Sequence, residues 1–355
     1  MNIVLILEKE ELDKAFMKTY EHYRNIGGYP SFDQLNYIID WSQFNDDPRT
    51  QNLDLHLGSL INHSLIRDDK INVHGFGEHP NGWWNGKKRG RHVPEFLERE
   101  KRFDYILSHC MQTAHGRNYI HIPAAFDINH ILSQLDFDNI DDVEKDIDVF
   151  MCGSCEGEKT RAGEYNPIWR WYKVMEKFNN IFCNQCWSSH TFPWREKQTF
   201  QSRAKISIVW SDFIGATPQC RQYAKSNLPW IKFKKGKNGE IVTPQMKYRI
   251  HDAAFSKSIM LCYKSPFVGE KYPYFPSIEN YWKPNEDFIY FDDSDDLEIK
   301  IRQILDNYDD LKYKKMVDSA FNKLKNYDIK EIYERHLVPL AEKGKKHYEG
   351  KLILK

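Results

Sequence analysis

The stretch YRIHDAAFSKSIMLCYKSPF, Tyr248 to Phe267, decides how this chain is read. It sets Arg249, His251 and Asp252 ahead of the small residues Ala253, Ala254 and Ser256, and these ahead of an apolar run from Ile259 to Cys262. Charged groups normally avoid the entrance of a buried strand. A helix over Met246–Phe255 accounts for them. Its N-terminal amides and dipole favour an anion. Arg249 can hold a phosphate with both arms of its guanidinium. Asp252 falls three residues on, on the same helical face. A carboxylate there repels phosphate but suits two adjacent hydroxyls, such as those of a ribose. An alternative stays open at this point: Arg249 and Asp252 as an intrahelical ion pair contributing a few tenths of a kcal/mol.

Outward from this segment, short apolar runs alternate with helical patterns. Strands are expected at Asn2–Leu7, Lys70–Gly75, Tyr105–Ser108 and Tyr119–Ile122, with helices at Glu11–Tyr23 and Val93–Arg102. After Asp127 a helix and the acidic DNIDDVEKDID read as a connection. A second set of strands follows at Asp148–Cys152, Asn180–Cys183, Lys205–Trp210, Ser258–Cys262 and Asp287–Phe291. Helices accompany it at Pro167–Phe178 and Asp296–Asn307, with a charged helical tail to about His347. Strands separated by helices imply parallel βαβ units. The fold class expected is therefore α/β, two Rossmann-like domains facing a cleft. In such sheets ligands sit beyond the carboxyl ends of the strands, which promotes the loops after residues 75, 108, 152, 210 and 262.

At 355 residues the chain is too long for one ordinary core. Lys+Arg and Asp+Glu are both 51, so no global field draws it to nucleic acid or membrane, and a polyanion must meet a local patch. The start, MNIVLILEKEELDKAF, lacks the basic opening and long apolar region of a signal peptide. No run approaches the ~20 apolar residues of a membrane span. Seven cysteines, an odd count, suit a reducing compartment better than a disulfide scaffold. A cytoplasmic protein is expected.

The segment from Arg249 resembles the nucleotide-sugar-binding helix of GT-B glycosyltransferases, in which an Arg-x-x-Glu or a lone Glu precedes small residues and an apolar strand. The similarity is to the CgeB-like, group 1 branch and, more distantly, to phage DNA β-glucosyltransferases. It continues in order over about residues 71 to 325: FDYILSH, YIHIPAAFD, DIDVFMCGS and KPNEDFIYFDDSDDLEIKIRQILDN resemble successive parts of that branch. The resemblance implies an acceptor domain over 1–145, a donor-binding domain over 146–325 and a C-terminal segment, 326–355, packing back toward the first.

It further implies a sugar transfer from a nucleotide-diphosphate sugar, with a UDP-sugar as the expected donor. Arg249, His251 and Asp252 would bind that donor. Gly153 and Ser154 would open the phosphate loop, and Lys159 and Arg161 would add cations, with no metal or other cofactor required. An inverting enzyme needs a general base on the acceptor side; the candidates are Glu78, His79, His115 and Asp127. Trp83, Trp84, Lys87 and Arg89, in WWNGKKRGRH, would meet a glycan, protein or nucleic-acid acceptor by stacking and charge. Two departures stand out. Asp252 is shorter than the usual Glu, and the second Glu of retaining members, eight positions earlier, is Pro244 here. The stereochemical course is therefore open.

A rival reading starts from Cys152-x-x-Cys155 and Cys183-x-x-Cys186, with His190 nearby. Four thiolates can hold zinc, and with the WWNGKKRGRH loop they suggest a zinc-containing nucleic-acid-binding protein. Against it, both pairs end apolar strands that a doubly wound sheet sets side by side, where buried thiols need no metal. An inactive nucleotide-sugar-binding module is a third reading. The acidic run Asp292–Asp296 precedes a helix and reads as a cap rather than a metal motif.

Overall fold

The computed structural model describes residues 1–5, 40–57, 66–76, 103–108, 119–135, 137–153, 167–186, 189–190, 194–215, 234–237, 240–243, 246–269 and 277–344. The helices expected at Glu11–Tyr23 and Val93–Arg102 lie outside them. The chain divides into two units, Met1–Ile131 with Tyr327–Lys355, and Leu132–Asn326.

In the first unit, β1 (Asn2–Leu5), β2 (Leu53–Leu57), β3 (Ile71–Phe76), β4 (Tyr105–Ser108) and β5 (Tyr119–His121) form one sheet in that order, every pairing parallel. The sequence pattern did not reveal β2. Its LDLHL buries Leu53 and Leu55 on one face and Asp54 and His56 on the other. A strand with polar residues on one buried face shows no apolar run. Those polar groups find partners across the sheet: Asp54 accepts from Asn2 Nδ2 at 3.0 Å, and His56 Nε2 lies 3.0 Å from Asn72 Oδ1.

Helix α1 (Ile128–Gln134) leads into the second unit. There β6 (Ile147–Gly153), β7 (Asn180–Cys186), β8 (Ser189–His190), β9 (Ala204–Val209), β13 (Ile259–Tyr263) and β14 (Phe288–Phe291) build a sheet of order β14-β13-β9-β6-β7-β8, parallel except for β8. A small antiparallel sheet, β10 (Phe213–Gly215), β12 (Ile241–Thr243) and β11 (Lys234–Lys235), lies between β9 and β13 in the chain. Helices α2 (Pro167–Met175) and α5 (Ser294–Asp306) bring Trp171, Leu297 and Ile301 onto Val149, Met151, Ile206, Ile208 and Leu261. Alternate residues of β6 face the other way. There Phe150 and Cys152 join Cys183 and Ala204, with Phe200 of α3 (Trp194–Arg203) packed against them.

The sequence reading did not detect α3. Its buried residues are Lys197, Gln198, Gln201 and Ser202, a helical face that is polar throughout. Helix α4 (Arg249–Phe255) packs beside it and is seven residues long, shorter than the expected Met246–Phe255. The acidic run is a cap, as its position before α5 implied: Asp293 accepts from Asp296 N at 3.1 Å, and Asp292 N donates to Asp296 at 2.8 Å.

Helix α6 (Leu311–Leu324) closes the second unit. The chain then returns to the first through α7 (Ile329–Ile332), a π-helical turn (Tyr333–Leu337) and α8 (Val338–Lys343). Tyr333 stacks on Phe44 with centroids 3.9 Å apart, and its hydroxyl lies 2.8 Å from both Asp47 and Thr50.

Candidate functional site

The chain leaves β6, runs through α2 to β7 on one side, then returns through α3 to β9 on the other. The strand order therefore reverses between β6 and β9. At such a point the two flanking loops part and leave a crevice at the carboxyl ends, where open α/β sheets bind ligands. Gly153 ends β6, Trp210 follows β9, and α4 leads toward β13, the next strand beyond β9.

Arg249 occupies this place. Its guanidinium carbon lies 3.8 Å above the Trp210 ring centroid, and its Nη1 donates to Cys152 O at 3.2 Å. Trp210 is itself buried and meets Trp171 edge-on at 5.4 Å. Gly153 makes room for the pair. A Cβ at residue 153 would lie 2.3 Å from Trp210 Cη2 and 3.0 Å from Arg249 Nη1. A cation stacked on indole and anchored to a strand-end carbonyl is oriented before any ligand arrives.

Asp252, one turn along α4, is 4% exposed. Its Oδ2 accepts from Lys197 Nζ of α3 at 2.6 Å, and its Oδ1 is buried with no hydrogen-bond partner. Gln198 supports the same contact, donating to Asp252 O at 3.3 Å and Ser256 Oγ at 2.7 Å. Burial opposes the charge on Lys197 most strongly. The attraction of Asp252, together with that of Cys152 and Cys183, outweighs it and holds the ammonium's pKa above its ordinary value. Cys152 and Cys183 are register partners on β6 and β7. A hydrogen bond from Cys183 lowers the Cys152 pKa; burial opposes that shift, and Lys197 and Arg249 reinforce it.

The structure thus brings Gly153, Arg249 and Asp252 together, and adds two residues that sequence reasoning missed. Trp210 had a signal, since the loop after residue 210 was among those promoted. Lys197 had none, being one lysine in a polar segment. His251 faces elsewhere: it is buried, edge-on to Trp282 at 5.2 Å and Tyr281 at 5.8 Å, so its surroundings are aromatic packing. Asp127 is buried in the first unit and accepts from His130 N at 2.9 Å, Gln43 Nε2 at 3.1 Å and Asp40 N at 3.3 Å. That is the work of a helix cap. Ser154, Lys159, Arg161, Glu78, His79, His115, Trp83, Trp84, Lys87 and Arg89 lie outside the described residues.

Cys152 and Cys183 fill an apolar cluster with Ile147, Phe150 and Ala204, as strand neighbours buried in a sheet do. This packing explains them without zinc. Among the described residues no group of three or more His, Cys, Asp or Glu is placed to hold a metal. Also among them, no helix is long and apolar enough to cross a membrane.

No protein-family model matches the sequence, and no curated protein matches it in sequence. Solved structures do match in fold. An Anabaena protein, Alr3699/HepE, in complex with UDP and glucose, is 10% identical, covers 96% of this chain and 100% of its own, and superposes with a TM-score of 0.52. An alpha-glucosyltransferase in complex with UDP and a 13-mer DNA is 12% identical over 81% of this chain and 79% of its own, with a TM-score of 0.50. The chain therefore has the fold of these proteins, the α/β architecture of GT-B glycosyltransferases.

Proposed function

We propose that this chain is a glycosyltransferase that moves a sugar from a UDP-sugar to a glycan, protein or nucleic-acid hydroxyl. The observation that carries the reading is Arg249. It is a cation stacked on Trp210, anchored to the end of β6 and seated where the strand order reverses. Support comes from the fold neighbours, whose structures hold UDP, one with glucose and one with DNA.

Breaking the bond between the sugar and the diphosphate leaves charge on the departing oxygen. A fixed guanidinium aimed at that oxygen stabilises the charge as it develops. Arg249 takes this role, with Lys159 and Arg161 as further cations and the backbone of Gly153 and Ser154 as phosphate contacts. Asp252 takes the ribose. On the acceptor side Glu78 or His79 is the base for an inverting course, and Trp83, Trp84, Lys87 and Arg89 bind the acceptor. These acceptor-side assignments rest on the sequence. A cytoplasmic location is supported by the buried cysteines Cys152, Cys183 and Cys262, which are thiols rather than disulfides.

The test is thermal stabilisation by UDP and UDP-glucose, wild type against Arg249→Ala, followed by UDP release with glycan and DNA acceptors. Stabilisation that disappears in the variant supports the donor site. Absence of stabilisation by any nucleoside diphosphate refutes it. Stabilisation without UDP release from any acceptor or water would mark a binding module instead.

A further inference from the structure

We infer that Lys197 is a positioning residue: it holds Asp252 so that the free carboxylate oxygen accepts a hydrogen bond from a ribose hydroxyl of the donor. The inference rests on the donor-site reading above. The side chains of Lys197 and Asp252 are 4% and 6% exposed, and their charged atoms meet at 2.6 Å. Only Oδ2 is used. Oδ1 is buried and unpartnered.

A buried carboxylate oxygen without a donor is costly, and more so than a neutral acceptor. The diphosphate beside Arg249 cannot supply that donor, because its oxygens only accept. A ribose hydroxyl can. Lys197 answers the objection that a carboxylate repels phosphate. Its ammonium cancels the charge of Asp252, so Lys197, Asp252 and Arg249 together carry one positive charge. It also comes from α3, a different helix, and Gln198 of α3 holds the α4 backbone at the same residue. The direction of the carboxylate is thus set by helix-to-helix packing rather than by its own rotamer.

The experiment is calorimetric titration of the full chain with UDP and with 2′,3′-dideoxy-UDP, for wild type, Lys197→Met, Lys197→Gln and Lys197→Arg. Thermal unfolding establishes that each variant is folded. Wild type is expected to favour UDP by at least about tenfold, the effect of a hydrogen bond to a charged group. Lys197→Met and Lys197→Gln should shrink that ratio below about threefold by weakening UDP alone. Lys197→Arg, which keeps the charge, should retain more of it. A merely structural lysine would weaken both ligands alike.

The double variant Lys197→Met/Asp252→Leu leaves neither partner orphaned and is expected to fold. It should bind the two ligands equally, and this reads the ribose contact even where a single variant does not fold. A wild-type ratio in folded Lys197→Met or Lys197→Gln, or in the double variant, overturns the inference while leaving the donor site intact. Wild-type protein that binds neither nucleotide overturns the donor-site reading itself.

Discussion

Gly153 has no room for a side chain, and adding one methyl group tests the geometry of the site. In Gly153→Ala the new Cβ falls 2.3 Å from Trp210 Cη2 and 2.5 Å from Cζ2. Ordinary carbon contacts sit near about 3.5–4 Å, so the indole must move by about 1 Å or more. It cannot move freely, because Trp210 is buried and packed edge-on against Trp171. Overpacking of this kind costs about 1–3 kcal/mol. At about 2–4 °C per kcal/mol for a unit of this size, the unfolding midpoint should fall by about 2–12 °C.

The same displacement carries Arg249 off its stack and away from Cys152 O, so UDP should bind at least about tenfold more weakly, the size of a lost charge-assisted hydrogen bond. Calorimetry and UDP titration of the purified protein read both effects. A second substitution sharpens the test. Trp210→Phe removes the overlapping edge of the indole, so Gly153→Ala/Trp210→Phe should lose less stability than the two single changes summed. A Gly153→Ala protein with the wild-type midpoint and wild-type UDP affinity would refute the packing of Gly153, Trp210 and Arg249 described above.

Other outcomes follow from the same structure. Arg249→Lys keeps a positive charge but loses the planar stack and fork, and should weaken UDP binding by about tenfold with little change in the unfolding midpoint, read by titration and calorimetry. Asp293→Ala removes the N-cap of α5 and should cost about 0.5–2 kcal/mol in denaturant unfolding.

Lys145 donates to Ser202 O at 2.6 Å and Ser256 O at 2.7 Å, and burial lowers its pKa to about 7. Between that value and the unfolded lysine's value of about 10.4, the unfolded chain binds the extra proton. This group's contribution therefore favours the native state increasingly as pH rises above about 7, by at most ~1.4 kcal/mol per pH unit. Lys145→Met should flatten that part of the stability–pH curve measured by urea unfolding.

The central strands of the second unit's parallel sheet were legible in the sequence because their burial is apolar, whereas the short strands β10 and β12, three residues each, were not. The runs around β6, β9, β13 and β14 are Val-, Ile-, Phe- and Met-rich because helices cover both faces of the sheet, and such strands announce themselves. The capping role of Asp293 was legible because capping is local. The adjacency of Cys152 and Cys183 followed from their being the ends of two strands in one sheet. By contrast β2 and α3 bury polar faces. Asp54 and His56 in one, and Lys197, Gln198 and Gln201 in the other, look like solvent-facing positions until their partners are known. Two of the partners lie far along the chain, Asn2 for Asp54 and Asp252 for Lys197, and Ser207, the partner of Gln201, sits on the next strand, β9.

At the site, the sequence by itself determined that an arginine and a carboxylate, one helical turn apart, enter a buried strand beyond a glycine-ended strand. Composition and spacing are enough for that, since helix periodicity is a local property. Tertiary structure decided what the two charges do. Arg249 and Asp252, spaced to pair with one another, engage different neighbours: Trp210 and Cys152 O for the one, Lys197 for the other. The physical reason is burial. At an exposed helix surface an Arg–Asp pair at this spacing is worth little. Inside a sheet crevice each charge must find a partner of the right reach and direction, and only the order of the strands and the packing of α3 on α4 supply one.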